Sequence, residues 1–176
     1  MFWVVIIIIV AVIIIAVAYT NIKKKEQKEA ILSDERLKDA KVFSEYINTP
    51  IAISENGYIG IIDPKTKDPK IIHIKDINGF ELLIDGKNIA NIGGAVVGGL
   101  LFGGVGAIIG GSASEKKITK MNLLLKTNDF NNPTLDIPLV IFEMKKGSMT
   151  YNSVQKEVQE LMATLEIVER NNKSGQ

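Results

Sequence analysis

Polar and apolar positions change rhythm several times along this chain. Residues 2–18 carry no polar atom beyond the Trp3 indole, and Lys23, Lys24, Lys25 and Lys28 follow almost at once. As a helix such a run reaches about 26 Å, the thickness of a hydrocarbon core. Inside lipid the backbone has no other way to pair its N–H groups, so even these β-branched residues become helical. Between 26 and 47 the chain turns polar, with Ala30, Ile31, Leu37, Ala40, Phe43 and Ile47 at spacings that predict a helix with a narrow apolar stripe. Asn48-Thr49-Pro50 ends it, because the residue before proline avoids the helical region.

A period of two then takes over. Ile51 to Ser54 and Tyr58 to Ile62 flank Asn56-Gly57, a strong hairpin signal. Lys70 to Lys75 and Phe80 to Asp85 read as two further strands, separated by a turn over Asp76 to Gly79. Ile118 to Lys126 and Thr134 to Ile141 read as two more, joined by a polar loop over 127–133. At the end, Asn152-Ser153-Val154-Gln155 resembles a capping box. Val154, Val158, Leu161, Met162, Leu165 and Val168 then share one helical face.

These elements divide the chain into a transmembrane anchor (1–20), a charged helical stalk (21–48), a domain (49–170) and a disordered tail (171–176). About six antiparallel strands followed by one packing helix resemble a pleckstrin-homology-like (PH-like) half-barrel over residues 51–91 and 117–169. A two-layer α+β sandwich fits the same order. Either way the expected class is an α+β domain behind an N-terminal transmembrane helix.

The segment 92–111 breaks every pattern around it: nine glycines, two alanines, nine large apolar residues and no charge. Gly94 and Gly98, Gly99 and Gly103, and Gly106 and Gly110 are each four residues apart. That spacing bares one face of a helix for close packing and resembles glycine-zipper hairpins. In water nine glycines would cost a helix about 8 kcal/mol relative to alanine. A membrane-dipping hairpin, a buried helical pair and a flexible loop remain open. The large apolar residues weigh against the loop, and the membrane-facing hairpin is preferred to the buried pair. A full second span would split the domain across the bilayer. Gly104-Val-Gly106-Ala-Ile-Ile-Gly110 approaches a dinucleotide fingerprint but lacks its βαβ context.

Composition narrows the chemistry. A net charge of +1 in 176 residues provides no field for nucleic acid, and no binding to it is expected. With no cysteine and only His73, thiolate sites, disulfides and lipid attachment through cysteine are excluded. Neither a metal site nor a cofactor is expected. No nucleophile motif occurs, and the carboxylates lie in turns and charged helices, so the expectation is a non-enzymatic protein.

The anchor residues are Phe2, Trp3, Ile8, Ile14, Tyr19, Lys23, Lys24 and Lys25, with Trp3 and Tyr19 at the two interfaces. Lysines after the run and none before it predict the N-terminus outside and the bulk of the chain in the cytoplasm. Ala16-Val17-Ala18 offers the rival reading of a cleavable signal, which would make the domain secreted. The layout of anchor, lysine stop, charged stalk, β domain and glycine-zipper insert resembles small membrane proteins of Gram-positive bacteria and their prophages, among them superinfection exclusion proteins. That resemblance implies blockage of phage DNA entry. The implied partners are the bilayer, a host membrane protein or a phage injection component, and a second copy through Gly94, Gly98, Gly99, Gly103, Gly106 and Gly110. The competing function is a membrane-anchored adaptor in envelope homeostasis, binding lipid headgroups or a protein and relying on Lys65, Lys67 and Lys70.

Overall fold

A computed structural model describes residues 2–88 and 117–173. The glycine-rich segment 92–111, including its zipper positions, lies outside the described residues.

Helix α1 (Phe2–Leu32) begins the chain and is unbroken from the apolar run through the lysines. Four strands follow: β1 (Lys41–Phe43), β2 (Ile51–Ile53), β3 (Tyr58–Ile62) and β4 (Pro69–His73), paired antiparallel in that spatial order. A 3-10 turn at Ile74–Asp76 leads into β5 (Ile77–Ile84). Strand β5 lies between the short β6 (Lys87–Asn88) and β8 (Met121–Thr127), and β9 (Thr134–Val140) forms the other edge. Two short strands, β7 (Lys117–Ile118) and β10 (Met144–Lys145), pair with each other. Helix α2 (Met149–Lys173) completes the described chain.

The alternation that marked the strands sorts their side chains into two cores. Ile51, Ile53, Ile59, Ile61 and Ile72 from the first sheet share one cluster with Leu82, Leu123, Leu125, Leu135 and Ile137 from the second. The predicted face of α2, Val154 to Val168, closes that cluster. The other face of the first sheet would be solvated in a plain antiparallel layer. Here Ala52 and Ile62 are instead covered by Ile31 of α1 and by Leu37. Burying each of those two side chains fully contributes about 1.5–3 kcal/mol.

The expected α+β layout with a packing helix therefore forms, but its N-terminal half differs from the periodicity reading. The helix expected over 26–47 stops at Leu32. Asp34 caps a 3-10 turn (Glu35–Leu37) by accepting the Arg36 N–H at 3.0 Å, and β1 follows. Leu37, Phe43 and Ile47 have helical spacing, yet they enter different cores, Leu37 under α1 and the other two between the sheets.

Two smaller boundaries also move. Of the turn expected over Asp76 to Gly79, Asp76 closes the 3-10 turn and Ile77 to Gly79 open β5, with a register irregularity between Ile77 and Gly79. Helix α2 starts at Met149, three residues before the expected capping box, because Ser148 Oγ accepts the Tyr151 N–H at 3.2 Å.

Candidate membrane-facing site

Among the described residues α1 is the one helix long and apolar enough to cross a membrane, and a signal sequence would have the same length and composition. Phe2, Trp3, Ile8, Ile14, Tyr19, Lys23 and Lys25 are all exposed along it. Lys24 is half-buried, and its Nζ lies 3.5 Å from the carbonyl oxygen of Glu45. Lys25 pairs with Glu29 at 3.7 Å on an exposed face, where a single ion pair adds little.

The segment between β1 and β2, residues 44–50, is where the parts of the molecule meet. From α2, the Glu157 carboxylate accepts N–H bonds from Glu45 at 2.8 Å, Tyr46 at 2.5 Å and Ile47 at 3.0 Å. The Asn48 N–H donates to the Leu139 carbonyl at 2.7 Å, and Thr49 Oγ1 donates to the Pro138 carbonyl at 2.8 Å. One loop thus joins α1, α2 and the end of β9. Glu157 is almost fully buried, so the three donors replace the water its charge would otherwise need.

The same end of the second sheet carries the stem of the glycine-rich segment. Ile84 pairs with Met121 and Met121 with Val140, so the ends of β5 and β9 and the start of β8 lie side by side. At Asp85 (φ 48°) and Gly86 (φ 78°) the chain reverses into β6 through a two-residue turn that requires left-handed backbone at both positions. Asp85 Oδ1 then accepts from Thr119 N at 3.0 Å, Thr119 Oγ1 at 2.6 Å and Lys120 N at 2.9 Å. In return the Asp85 N–H donates to the Lys120 carbonyl at 3.0 Å. One carboxylate therefore holds the outgoing and returning strands together.

Asp85→Ala is expected to cost about 1–3 kcal/mol, since three donors lose one charged acceptor at an exposed stem. Urea unfolding of the full chain in detergent measures it, and a loss below about 0.5 kcal/mol would remove the clamp from the account.

The loop lysines of the adaptor reading are engaged within the protein. Lys65 Nζ donates to Asn132 Oδ1 at 3.0 Å, Lys67 Nζ donates to the Pro64 carbonyl, and Lys70 lies 3.9 Å from both Asp63 and Asp129. The Lys65 N–H is the main cause holding the Asp63 carboxyl below its ordinary range, and the Asn131 N–H does the same for Asp129. His73 is half-buried, edge-on to Tyr58 at 4.8 Å, and its Nδ1 accepts the Lys75 N–H. Among the described residues no group of three or more His, Asp or Glu is gathered as metal ligands would be.

Asp85 and Glu157 were not singled out from sequence. The Asp85-Gly86 pair was legible as the close of a strand, but the partners of Asp85 lie 34 and 35 residues away. Glu157 is one carboxylate among many on a charged helix face, and its donors lie more than 100 residues upstream.

Two antiparallel sheets around one core, a C-terminal helix closing it, and a glycine-rich segment leaving and returning beside the second sheet define a PH-like domain carrying an insert. A family model described as a glycine zipper containing PH domain matches residues 19–141, and the chain belongs to that family. No curated protein and no solved structure matches the chain significantly.

Proposed function

We propose that this is a single-pass membrane protein, N-terminus outside and PH-like domain on the cytoplasmic face, that acts by binding and occlusion rather than catalysis. Its working part is the glycine-rich segment. Gly94, Gly98, Gly99, Gly103, Gly106 and Gly110 let that segment pack closely against an apolar partner at the bilayer. The partner is a host membrane protein or a component of a phage injection apparatus, and the outcome is exclusion of incoming phage DNA.

The supporting observation is the stem: the segment leaves and returns at the end of the second sheet that loop 44–50 ties to α1. A domain built this way sets the stem, Asp85 with Thr119 and Lys120, at the end of the second sheet tied to α1, which supports a segment working at the bilayer. The exclusion role draws further support from the overall layout of anchor, lysine stop, β domain and glycine-zipper insert.

The test expresses the protein in a phage-sensitive host and measures adsorption and DNA entry separately. Normal adsorption with blocked entry is the expected result, and unaffected infection across a broad phage panel argues against it. Gly98→Leu and Gly103→Leu are expected to abolish protection while the protein still fractionates with membranes. Full protection in those variants would remove the glycine segment from the mechanism.

A further inference from the structure

Large apolar side chains remain exposed on the domain at the end joined to the anchor. Tyr46 is 44% exposed, Ile141 62%, Phe142 41% and Met149 88%. They come from three separate parts of the chain, and the hydrogen bonds around loop 44–50 relate them. Tyr46 follows Glu45, whose carbonyl Lys24 approaches. The Tyr46 phenol hydrogen-bonds to Glu45, which is the main cause raising its pKa above the ordinary value, and also to Ser153. Met149 precedes Ser153 by one turn of α2, on the same helical face. Asn48 bonds to Leu139, and β9 runs out one residue later into Ile141 and Phe142.

The height of this rim above the membrane follows from α1. Tyr19 is the interfacial aromatic, and Lys24 lies five residues further along an unbroken helix, a rise of about 7.5 Å. The headgroup layer on one side of a bilayer is about 5–8 Å deep. Residues level with Lys24 therefore stand at the outer edge of the headgroups. Longer apolar side chains there reach the region where tyrosine, phenylalanine and methionine lose water favourably.

We infer that Tyr46, Ile141, Phe142 and Met149 form an interfacial rim that rests on the bilayer crossed by α1, giving the domain a second, non-covalent membrane contact. The inference builds on the retained-anchor reading above. The rim fixes which side of the domain faces lipid and so keeps the stem at Asp85 beside the membrane. The opposite end of the first sheet, the turn at Glu55 and Asn56, faces water.

The native chain has no cysteine, so single labels are unambiguous. Phe142→Cys, Met149→Cys and Asn56→Cys full-length chains, each carrying an environment-sensitive fluorophore, are reconstituted in phosphatidylcholine–phosphatidylglycerol vesicles containing lipid with a doxyl quencher high on the acyl chain. The expected result is several-fold greater quenching at positions 142 and 149 than at position 56. Adding Ile141→Asp and Phe142→Asp to the Met149→Cys chain is expected to bring its quenching down towards the position 56 value. Both changes are at exposed sites, and an unchanged circular dichroism spectrum confirms the fold.

Equal quenching at 142 and 56 overturns the inference. If unlabelled Phe142→Cys chains then cross-link to one another, the face belongs to a second copy instead. Vesicle flotation separates the two levels of the reading. A chain that floats but shows no excess quenching overturns the rim alone, whereas a chain that does not float overturns the anchor and the rim together.

Discussion

Glu157→Ala is expected to destabilise the protein by about 3–5 kcal/mol, a large share of the stability of a domain this size. The carboxylate lies almost fully buried beneath loop 44–50 and accepts three consecutive backbone N–H groups. Truncation removes the acceptor, leaves the buried Ile47 N–H without it, and takes the charged partner from the part-buried Glu45 and Tyr46 N–H groups. Glu157→Gln should fall between the two, because the amide keeps one acceptor oxygen but turns an NH2 group towards a donor. Far-UV circular dichroism during urea unfolding of the full chain gives the numbers. A loss under about 0.5 kcal/mol for the alanine variant would mean that the loop holds its shape without the helix.

The second large effect belongs to a glycine outside the glycine-rich segment. Gly60 sits in the middle of β3 beneath the end of α1, and a Cβ built there would lie 2.3 Å from Leu37 Cδ1 and 2.5 Å from Ile31 Cγ2. In an open strand Gly→Ala is favourable by about 0.5–1 kcal/mol. At this position the sign should reverse. Gly60→Ala is expected to cost about 1–3 kcal/mol, since the methyl must displace the buried Leu37 and Ile31 side chains that pack on this glycine. A double-mutant cycle with Leu37→Ala identifies the cause: the pair should be markedly less destabilised than the sum of the single changes. Additive losses would show that Leu37 does not press on Gly60, and a stabilised Gly60→Ala variant would show that neither Leu37 nor Ile31 of α1 does. Limited proteolysis between 33 and 40 offers a second readout, with faster cleavage expected in Gly60→Ala.

Elements defined by local chemistry were legible before the structure. Asn56-Gly57 specified the β2–β3 connection, where Gly57 takes φ 85°. Residues 58–62 were legible as a strand, and the stripe from Val154 to Val168 specified the inner face of α2. Residues 33–47 depart from the helix their spacing predicts because the signal there is tertiary. Leu37, Ala40, Phe43 and Ile47 match a helical period only because α1 covers one face of the first sheet and α2 lies near the other, so residues on either side of a short edge strand find apolar neighbours. Periodicity counts apolar positions and does not distinguish which core receives them.

The short strands β7 and β10 pair with each other across a long stretch of chain and carry almost no local signal. The candidate site shows the same division. The exposed aromatics and lysines of α1 are visible in the sequence alone, whereas Asp85 and Glu157 matter through groups distant in sequence.

Helix α1 has no break between the apolar run and its seat against the first sheet, and this makes the domain's heading a matter of helical phase. One residue inserted between Tyr19 and Lys23 would swing the whole domain about 100° around the helix axis, whereas four would restore its bearing to within about 40° and lift it by about 6 Å. The chain at that junction behaves as a keyed shaft. Its length sets height and its phase sets direction, so under the anchored reading proposed above the flank turned towards the bilayer is a property of α1 and not of the loops.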